Sequence, residues 1–82
     1  MNEVDKAVEN DGIVVFSKPQ CADCARTKEY LANNGHEFTE FDISENDDAL
    51  SYITSRGIMR MPYVVANGDK WSGFSAARLK SL

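Results

Sequence analysis

Cysteine, proline and histidine are all scarce in this 82-residue chain, which has two cysteines, two prolines and one histidine. Two cysteines cannot build the dense disulfide framework of a small secreted domain, and Cys21 and Cys24 are too close in sequence to join distant segments. Two cysteines and one histidine also leave a four-ligand structural zinc site incomplete unless carboxylates contribute. The composition therefore argues against a disulfide-rich extracellular domain and against a zinc finger.

Long hydrophobic runs are absent as well. The longest uncharged apolar stretch covers residues 13–16, far short of the roughly 20 residues that span a bilayer as a helix. The first ten residues carry three acids and one base, unlike the basic beginning of a secretory signal peptide. We expect a cytoplasmic protein that has no membrane contact and whose thiols remain reduced.

Basic residues are few, and the formal net charge is −4. Residues 37–48 contain six acids and no lysine or arginine, whereas residues 56–82 contain five bases and one acid. The acidic total argues against nucleic-acid binding, which requires a basic surface. The basic last third is consistent with an acidic protein partner or with solvated helix faces, and both interpretations stay open.

The hydrophobic pattern predicts a single domain over residues 1–82 that alternates helices and strands. The predicted order is helix, strand, helix, strand, helix, strand, strand, helix, over residues 2–10, 13–18, 22–33, 37–43, 44–57, 62–66, 69–72 and 75–82. A strand–helix–strand unit gives parallel strands, and the Asn67-Gly68 turn adds an antiparallel hairpin. The fold class is therefore α/β, a four-stranded mixed sheet covered by helices on both faces.

The last two helices are expected to begin at serine caps, Ser44 and Ser75. Gly57 is expected to end the first of them. Apolar residues at helical spacing predict the buried faces: Ala49, Leu50 and Ile53 in one helix, and Ala76, Leu79 and Leu82 in the other.

The first motif that carries chemistry is Cys21-Ala22-Asp23-Cys24, which lies where a buried strand ends and a helix begins. The helix N-terminus favours a thiolate at Cys21 through its unpaired N–H groups and macrodipole, and a thiolate is the attacking species in disulfide exchange. Asp23 should oppose that thiolate, because both groups are negative. The alternative is half of a metal site or two unrelated core cysteines, although no second Cys-x-x-Cys or histidine pair exists.

Met61-Pro62 is the second motif. Proline at the head of a central strand is unusual, because it cannot donate a hydrogen bond to the sheet. If the bond is cis, the backbone turns sharply and leaves Met61 with free N–H and C=O groups for an extended substrate beside Cys21. The alternative is an ordinary trans proline on an edge strand.

The third motif is Trp71-Ser72-Gly73-Phe74. Taken alone, it indicates packing, with the two aromatic rings holding the hairpin against the last helix and the glycine permitting a tight turn. His36 is expected to be a solvated loop residue.

These three motifs together resemble the glutaredoxin-like division of the thioredoxin superfamily, and in particular the NrdH-redoxins, small disulfide reductants that serve ribonucleotide reductase. The similarity runs from about residue 12 to residue 82. The matching residues are Phe16-Ser17-Lys18-Pro19-x-Cys21-x-x-Cys24 with Thr27-Lys28, then Gly57-x-x-Arg60-Met61-Pro62 with Val64-Val65, and Trp71-Ser72-Gly73-Phe74. The last block is the most specific, because it separates this branch from ordinary glutaredoxins.

The resemblance implies a thioredoxin-like fold and a dithiol–disulfide oxidoreductase. Cys21 would be the nucleophile, Cys24 would resolve the mixed disulfide, and Pro62 would be the cis-proline. The residues implied in partner binding are Lys18, Arg60, Met61, Pro62, Trp71, Ser72, Gly73 and Phe74. No bound cofactor or metal is implied. A monomer would carry electrons from NADPH, through a flavoprotein such as thioredoxin reductase, to ribonucleotide reductase.

Two features depart from the NrdH-redoxin pattern. Ser75-Ala76-Ala77 stands where that branch often has Arg-Pro-Asp, and the N-terminal helix is more typical of glutaredoxins. A glutathione-dependent glutaredoxin is therefore the enzymatic alternative, with Lys18 and Arg60 available to the glycine carboxylate of glutathione. That binding is expected to be weak, because no acid follows Asp69 to bind the γ-glutamyl ammonium. A non-catalytic module whose cysteines hold an iron–sulfur cluster is the third alternative.

Overall fold

One mixed sheet of four strands organises the computed structural model of the protein, which describes residues 2–10 and 12–82. The strands are β1 (Ile13–Ser17), β2 (Thr39–Asp42), β3 (Tyr63–Ala66) and β4 (Asp69–Ser72). Their order across the sheet is β2-β1-β3-β4. β1 and β2 are parallel, whereas the other two pairs are antiparallel. The expected mixed sheet is confirmed, with β2 at an edge.

Helices cover both faces of this sheet, as expected. They are α1 (Glu3–Glu9), α2 (Ala22–Asn33), α3 (Asp47–Ser55) and α4 (Ala76–Lys80). Val4 of α1 and Ile53 of α3 belong to one core cluster, while Leu31 of α2 and Leu79 of α4 belong to a second. Because both faces are covered, every residue of β1 is buried. None of the described helices is long and apolar enough to cross a membrane.

The start of α3 differs from the prediction. Its N-cap is Asn46, whose side-chain oxygen accepts a hydrogen bond of 3.0 Å from the backbone N–H of Ala49. Ser44 instead donates its backbone N–H and its hydroxyl to Asp42 Oδ1, at 2.8 and 2.6 Å. The Ser44 hydroxyl therefore closes the turn that follows β2, and the helix begins two residues later than a serine cap would place it.

The buried face of α3 also differs from the prediction. Ala49 and Ile53 are buried, but Leu50 remains 42% exposed. Tyr52 takes its place in the core, and its ring stacks on that of Phe16 with centroids 5.1 Å apart. Helical spacing allows residues 49, 52 and 53 to share one face, just as it allows residues 49, 50 and 53 to do so. Burying the large Tyr52 ring removes more apolar surface from water than burying Leu50 would.

The hairpin between β3 and β4 is confirmed. Asn67 and Gly68 have φ values of 51° and 88°, the left-handed pair that a two-residue hairpin turn requires. β2 is shorter than the predicted 37–43. Phe38 lies outside it and packs in the second cluster, whereas Phe41 packs in the first.

The cap of α4 is confirmed, since the Ser75 hydroxyl accepts a hydrogen bond of 3.3 Å from the backbone N–H of Arg78. Leu79 is buried and Leu82 packs against the same cluster. Ala76 is exposed, so its predicted place on the buried face is wrong. The helix has five residues and therefore presents little more than one turn to the core.

Candidate active site

The two cysteines lie at the first turn of α2 and form a disulfide, with their Cα atoms 5.2 Å apart. Cys21 is the N-cap residue of the helix, and its Sγ accepts a hydrogen bond of 3.2 Å from the backbone N–H of Cys24. Cys21 is half-buried, whereas Cys24 is 2% exposed. The first sulfur is therefore both the more accessible one and the one placed at the positive end of the helix dipole.

The Met61–Pro62 peptide bond is cis and lies directly beside this turn. The Met61 carbonyl oxygen is 3.8 Å from Cys21 Sγ. The Pro62 carbonyl accepts a hydrogen bond of 2.7 Å from the backbone N–H of Gly73. The structure thus brings together residues of all three motifs, namely Cys21, Met61, Pro62 and Gly73. Of the two forms considered for the Met61–Pro62 bond, the cis form is the one observed.

The backbone conformation of residue 73 favours glycine. Its φ is 83°, in the left-handed region that side chains disfavour. A Cβ atom there would lie 3.2 Å from Arg60 Nε, a close contact that the exposed arginine side chain could relieve by a small shift. The tight turn expected at Gly73 is therefore confirmed, and it lies beside the Arg60 guanidinium.

Asp23, which lies between the two cysteines, is paired with two arginines. Its carboxylate is 2.8 Å from Arg26 Nη2 and 3.7 Å from Arg60 Nη2. Arg26 also lies over the Phe74 ring, with its guanidinium carbon 4.2 Å from the ring centroid. The i,i+3 spacing of Asp23 and Arg26 on a helix is a sequence signal for the first pair. Nothing in the sequence indicates the second, whose partners are 37 residues apart.

Trp71 is a core residue, as the motif taken alone indicated. Its ring is buried in the second cluster with Leu79, and Phe74 packs against the same cluster. Its Nε1 has no hydrogen-bond partner among the residues that the structure describes. Ser72 is exposed at the end of β4. Within residues 71–74, which the resemblance implies in partner binding, Ser72 and the partly exposed Phe74 therefore offer a partner more accessible surface than Trp71 does.

A cleft of about 590 Å³ opens on the other side of the disulfide. Both cysteines line it, together with Lys18, Lys28 and Glu40. Lys28 Nζ and the hydroxyl of buried Ser17 each donate a hydrogen bond of 2.7 Å to Glu40 Oε2. Burial raises the pKa of the Glu40 carboxyl, but these two hydrogen bonds together with the charge of Lys28 outweigh burial, so the pKa is lowered. No short sequence signal indicates that Ser17, Lys28 and Glu40 come together.

Among residues 2–10 and 12–82, no three side chains of His, Cys, Asp or Glu come together in a way that could hold a metal ion. His36 is half-buried rather than solvated. It lines a separate cleft with Gly12 and Phe38, which does not include the cysteines.

Comparison with known proteins agrees with this site. The family model described as glutaredoxin matches residues 13–71. The glutaredoxin-like protein NrdH of Escherichia coli is 27% identical over 70 residues, which cover 85% of this chain and 86% of that protein.

Solved structures show the same fold. The E. coli NrdH-redoxin, described as having a thioredoxin-like activity profile, aligns with a TM-score of 0.80 and 26% identity over 85% of this chain and 92% of that one. A glutaredoxin from Archaeoglobus fulgidus aligns over all of this chain and 94% of its own, with a TM-score of 0.79 and 22% identity. With its Cys21–Cys24 disulfide at the start of α2, the chain belongs to the glutaredoxin family and is a thiol–disulfide oxidoreductase of the thioredoxin fold.

Proposed function

We propose that this protein is a cytoplasmic dithiol electron carrier of the NrdH-redoxin type, which reduces disulfides of partner proteins. Its acceptor is ribonucleotide reductase, and its donor is NADPH acting through thioredoxin reductase. The observation that carries the proposal is the placement of Cys21. Its sulfur is accessible, caps a helix and lies beside the cis Met61–Pro62 bond.

The electron transfer follows from the unequal exposure of the two cysteines. The Cys21 thiolate attacks one sulfur of the partner disulfide, and the other partner sulfur leaves as a thiolate. Cys24, one helical turn further and 2% exposed, then attacks Cys21 Sγ. The Cys21–Cys24 disulfide forms, the partner receives two electrons in total, and the flavoprotein restores the dithiol.

The partner segment is proposed to pair with the backbone of Met61, whose carbonyl oxygen is 3.8 Å from Cys21 Sγ. An extended peptide that pairs with this backbone would bring its disulfide to Cys21. Met59 is 95% exposed, and Arg60 is exposed beside it. Lys18, on the cleft side of the disulfide, would contact the same partner from the opposite direction.

Glutathione is the weaker donor in this proposal, because Asp69 is both remote from the cysteines and already paired. Asp69, the last acid of the chain, already accepts two hydrogen bonds of 2.7 Å from Arg78. It also lies opposite Ala66, at the end of the sheet away from the cysteines, and is therefore not placed to bind a γ-glutamyl ammonium. Arg60 could attract the glycine carboxylate, but Asp23 already faces it. A glutathione-dependent glutaredoxin remains the second candidate, because Lys18 and Arg60 are both exposed.

Two coupled assays of NADPH consumption test the proposal. One contains thioredoxin reductase, and the other contains glutathione with glutathione reductase. We expect efficient turnover in the first and poor turnover in the second, and Cys21→Ser should abolish both. Turnover in the glutathione assay and none in the thioredoxin reductase assay would overturn this proposal in favour of a glutathione-dependent glutaredoxin. A visible absorption band that depends on iron and sulfide would instead support a cluster-binding module.

A further inference from the structure

Cys24 faces a chemical difficulty that the cysteine motif does not solve. It attacks as a thiolate, yet its side chain is 2% exposed, and burial in apolar surroundings disfavours a charged sulfur. It packs in the first core cluster beside Phe16 and Met61. A cation close to Cys24 would offset this penalty.

Lys28 is placed to provide that cation. It lies four residues after Cys24 on α2, so the two side chains share one face of the helix. Long helical side chains lean towards the N-terminus, which directs Lys28 back over Cys24. Both residues line the cleft of about 590 Å³ beside the disulfide.

Glu40 holds the ammonium of Lys28 at this place. Its Oε2 accepts hydrogen bonds from Lys28 and from Ser17, both at 2.7 Å. Within the described chain, Glu40 is the one acceptor bonded to Lys28 Nζ, which leaves two of the three ammonium N–H groups for other partners. The hydrogen bonds that lower the Glu40 pKa also make its carboxylate a poor proton acceptor for a thiol.

We propose that Lys28 is a positioning residue for the second half of the reaction: its ammonium stabilises the Cys24 thiolate that attacks the mixed disulfide, and Glu40 both holds that ammonium and partly neutralises it. This inference rests on the proposed roles of the two cysteines. The Cys24 thiol loses its proton to solvent in the cleft. Its thiolate then forms a bond with Cys21 Sγ, the bond from Cys21 to the partner sulfur breaks, and the partner leaves as a thiolate that takes a proton from solvent.

Other charged or titratable groups surround Cys24 and have to be considered with Lys28. They are Asp23 on α2, Lys18 in the loop after β1, Glu40 and Asp42 on β2, Tyr52 on α3 and Tyr63 on β3. Asp23 is paired with two arginines, and Asp42 is bonded to Ser44. Burial raises the pKa of Tyr63, which keeps this phenol neutral in the working range. Lys18 lines the same cleft with an exposed side chain, and Lys28 with Glu40 is the ion pair among the residues that line it.

A chromogenic aryl disulfide that releases a coloured thiolate separates the two steps in one stopped-flow trace. Attack by Cys21 releases the first coloured thiolate at a rate that depends on reagent concentration. Resolution by Cys24 releases the second at a rate that does not. The rate of the second phase against pH gives the midpoint for forming the Cys24 thiolate.

We expect Lys28→Met to move that midpoint up by roughly half a unit to one unit, and to slow resolution at neutral pH by about twofold to fourfold once the greater nucleophilicity of the more basic thiolate is included. At high pH the same variant should be faster by roughly twofold, because a more basic thiolate is the better nucleophile. Lys28→Arg, which keeps the positive charge, should have the wild-type midpoint. Glu40→Gln should move it down, since the ammonium then lacks its counter-charge. Lys6→Met, on the distant helix α1, is the matched control for the loss of one lysine charge.

The proposal is overturned if Lys28→Met leaves the midpoint of the second phase unchanged, or if it slows both phases equally. A Glu40→Gln variant that moves the midpoint up would also overturn it, since that would make the carboxylate the proton acceptor. If Lys28→Met fails to fold, the arginine and glutamine variants still decide the question. Release of two coloured thiolates by Cys24→Ser would instead contradict the cysteine roles on which the inference rests.

Discussion

Replacing Asp23 with asparagine should lower the pKa of the Cys21 thiol and make the protein a weaker reductant. Asp23 carries a negative charge between the two cysteines in sequence, but Arg26 and Arg60 both face it. The three side chains therefore have a net charge of +1, which becomes +2 when the carboxylate is removed. Asparagine keeps a side-chain oxygen for Arg26, so the substitution changes the charge more than the contacts.

The magnitude follows from the distance and the exposure of the group. The Asp23 side chain is 32% exposed, which places its charge in a nearly aqueous dielectric. A unit charge at roughly 6 Å from Cys21 Sγ then contributes about 0.7 kcal/mol, or about half a pKa unit. If the thiolate of the reduced form is stabilised by that amount, the reduction potential rises by about 15 mV. The exposed ion pairs themselves contribute at most about 1 kcal/mol to folding, so the variant should remain folded.

Thiolate absorbance against pH gives the pKa of Cys21, and equilibration with a glutathione redox buffer gives the potential. Glu29→Gln is the matched control, because it removes one negative charge from the same helix about two turns further along. The control should leave both quantities within error of wild type. A thiol pKa that is unchanged or raised in Asp23→Asn would refute the electrostatic reasoning. An unchanged pKa would indicate that the two arginines fully neutralise the Asp23 carboxylate.

Three further predictions can be checked with simple measurements. Cys24→Ser should trap a stable mixed disulfide with partner proteins on a non-reducing gel, whereas Cys21→Ser should form none. A mixed disulfide trapped by Cys21→Ser would make Cys24 the nucleophile and Cys21 the resolving cysteine. Asn46→Ala should lower the free energy of unfolding in urea by about 1 kcal/mol, because it removes a helix cap, and Ser44→Ala should cost clearly less. Equal losses would restore Ser44 as a capping residue. Hydrogen bonds from Arg78 and from the Lys70 backbone N–H hold the pKa of the Asp69 carboxyl below its usual 3.8. Since the folded-state pKa is the lower one, this contribution to stability is present above about pH 4 and is lost as the pH falls through the folded-state value. The urea midpoint of Asp69→Asn should therefore fall less than that of wild type on acidification, and parallel profiles would contradict this.

Local signals made most of the fold predictable. The unbroken apolar run of β1 indicated a strand covered on both faces, and Asn67-Gly68 indicated a two-residue hairpin. The bounds of α2 match residues 22–33, because a buried strand precedes the helix and a glycine follows it. The beginning of α3 was less predictable. Ser44 and Asn46 are both good caps, and the choice depends on a turn that Ser44 makes with Asp42.

The contacts around the cysteines were mostly not predictable, since they join distant segments. Ser17 meets Glu40 only because β1 and β2 pair in a register that places Val15 opposite Glu40. A parallel register of this kind is not encoded in any short motif. Arg60 meets Asp23 because the loop before β3 lies against the start of α2 in the folded chain, which the sequence around either residue does not indicate.

This chain has Ser75-Ala76-Ala77 in place of Arg-Pro-Asp after Phe74, and other contacts hold residues 71–74. The buried Trp71 ring and the 2.7 Å hydrogen bond from Gly73 to the Pro62 carbonyl anchor the segment from within. Arg26 then covers Phe74 from the side of α2. Exposed arginine contacts of this kind contribute little to stability, about 1 kcal/mol or less each. Their larger effect is electrostatic, because Arg26 and Arg60 counter the charge of Asp23 at the turn that carries the cysteines, in a protein whose net charge is −4.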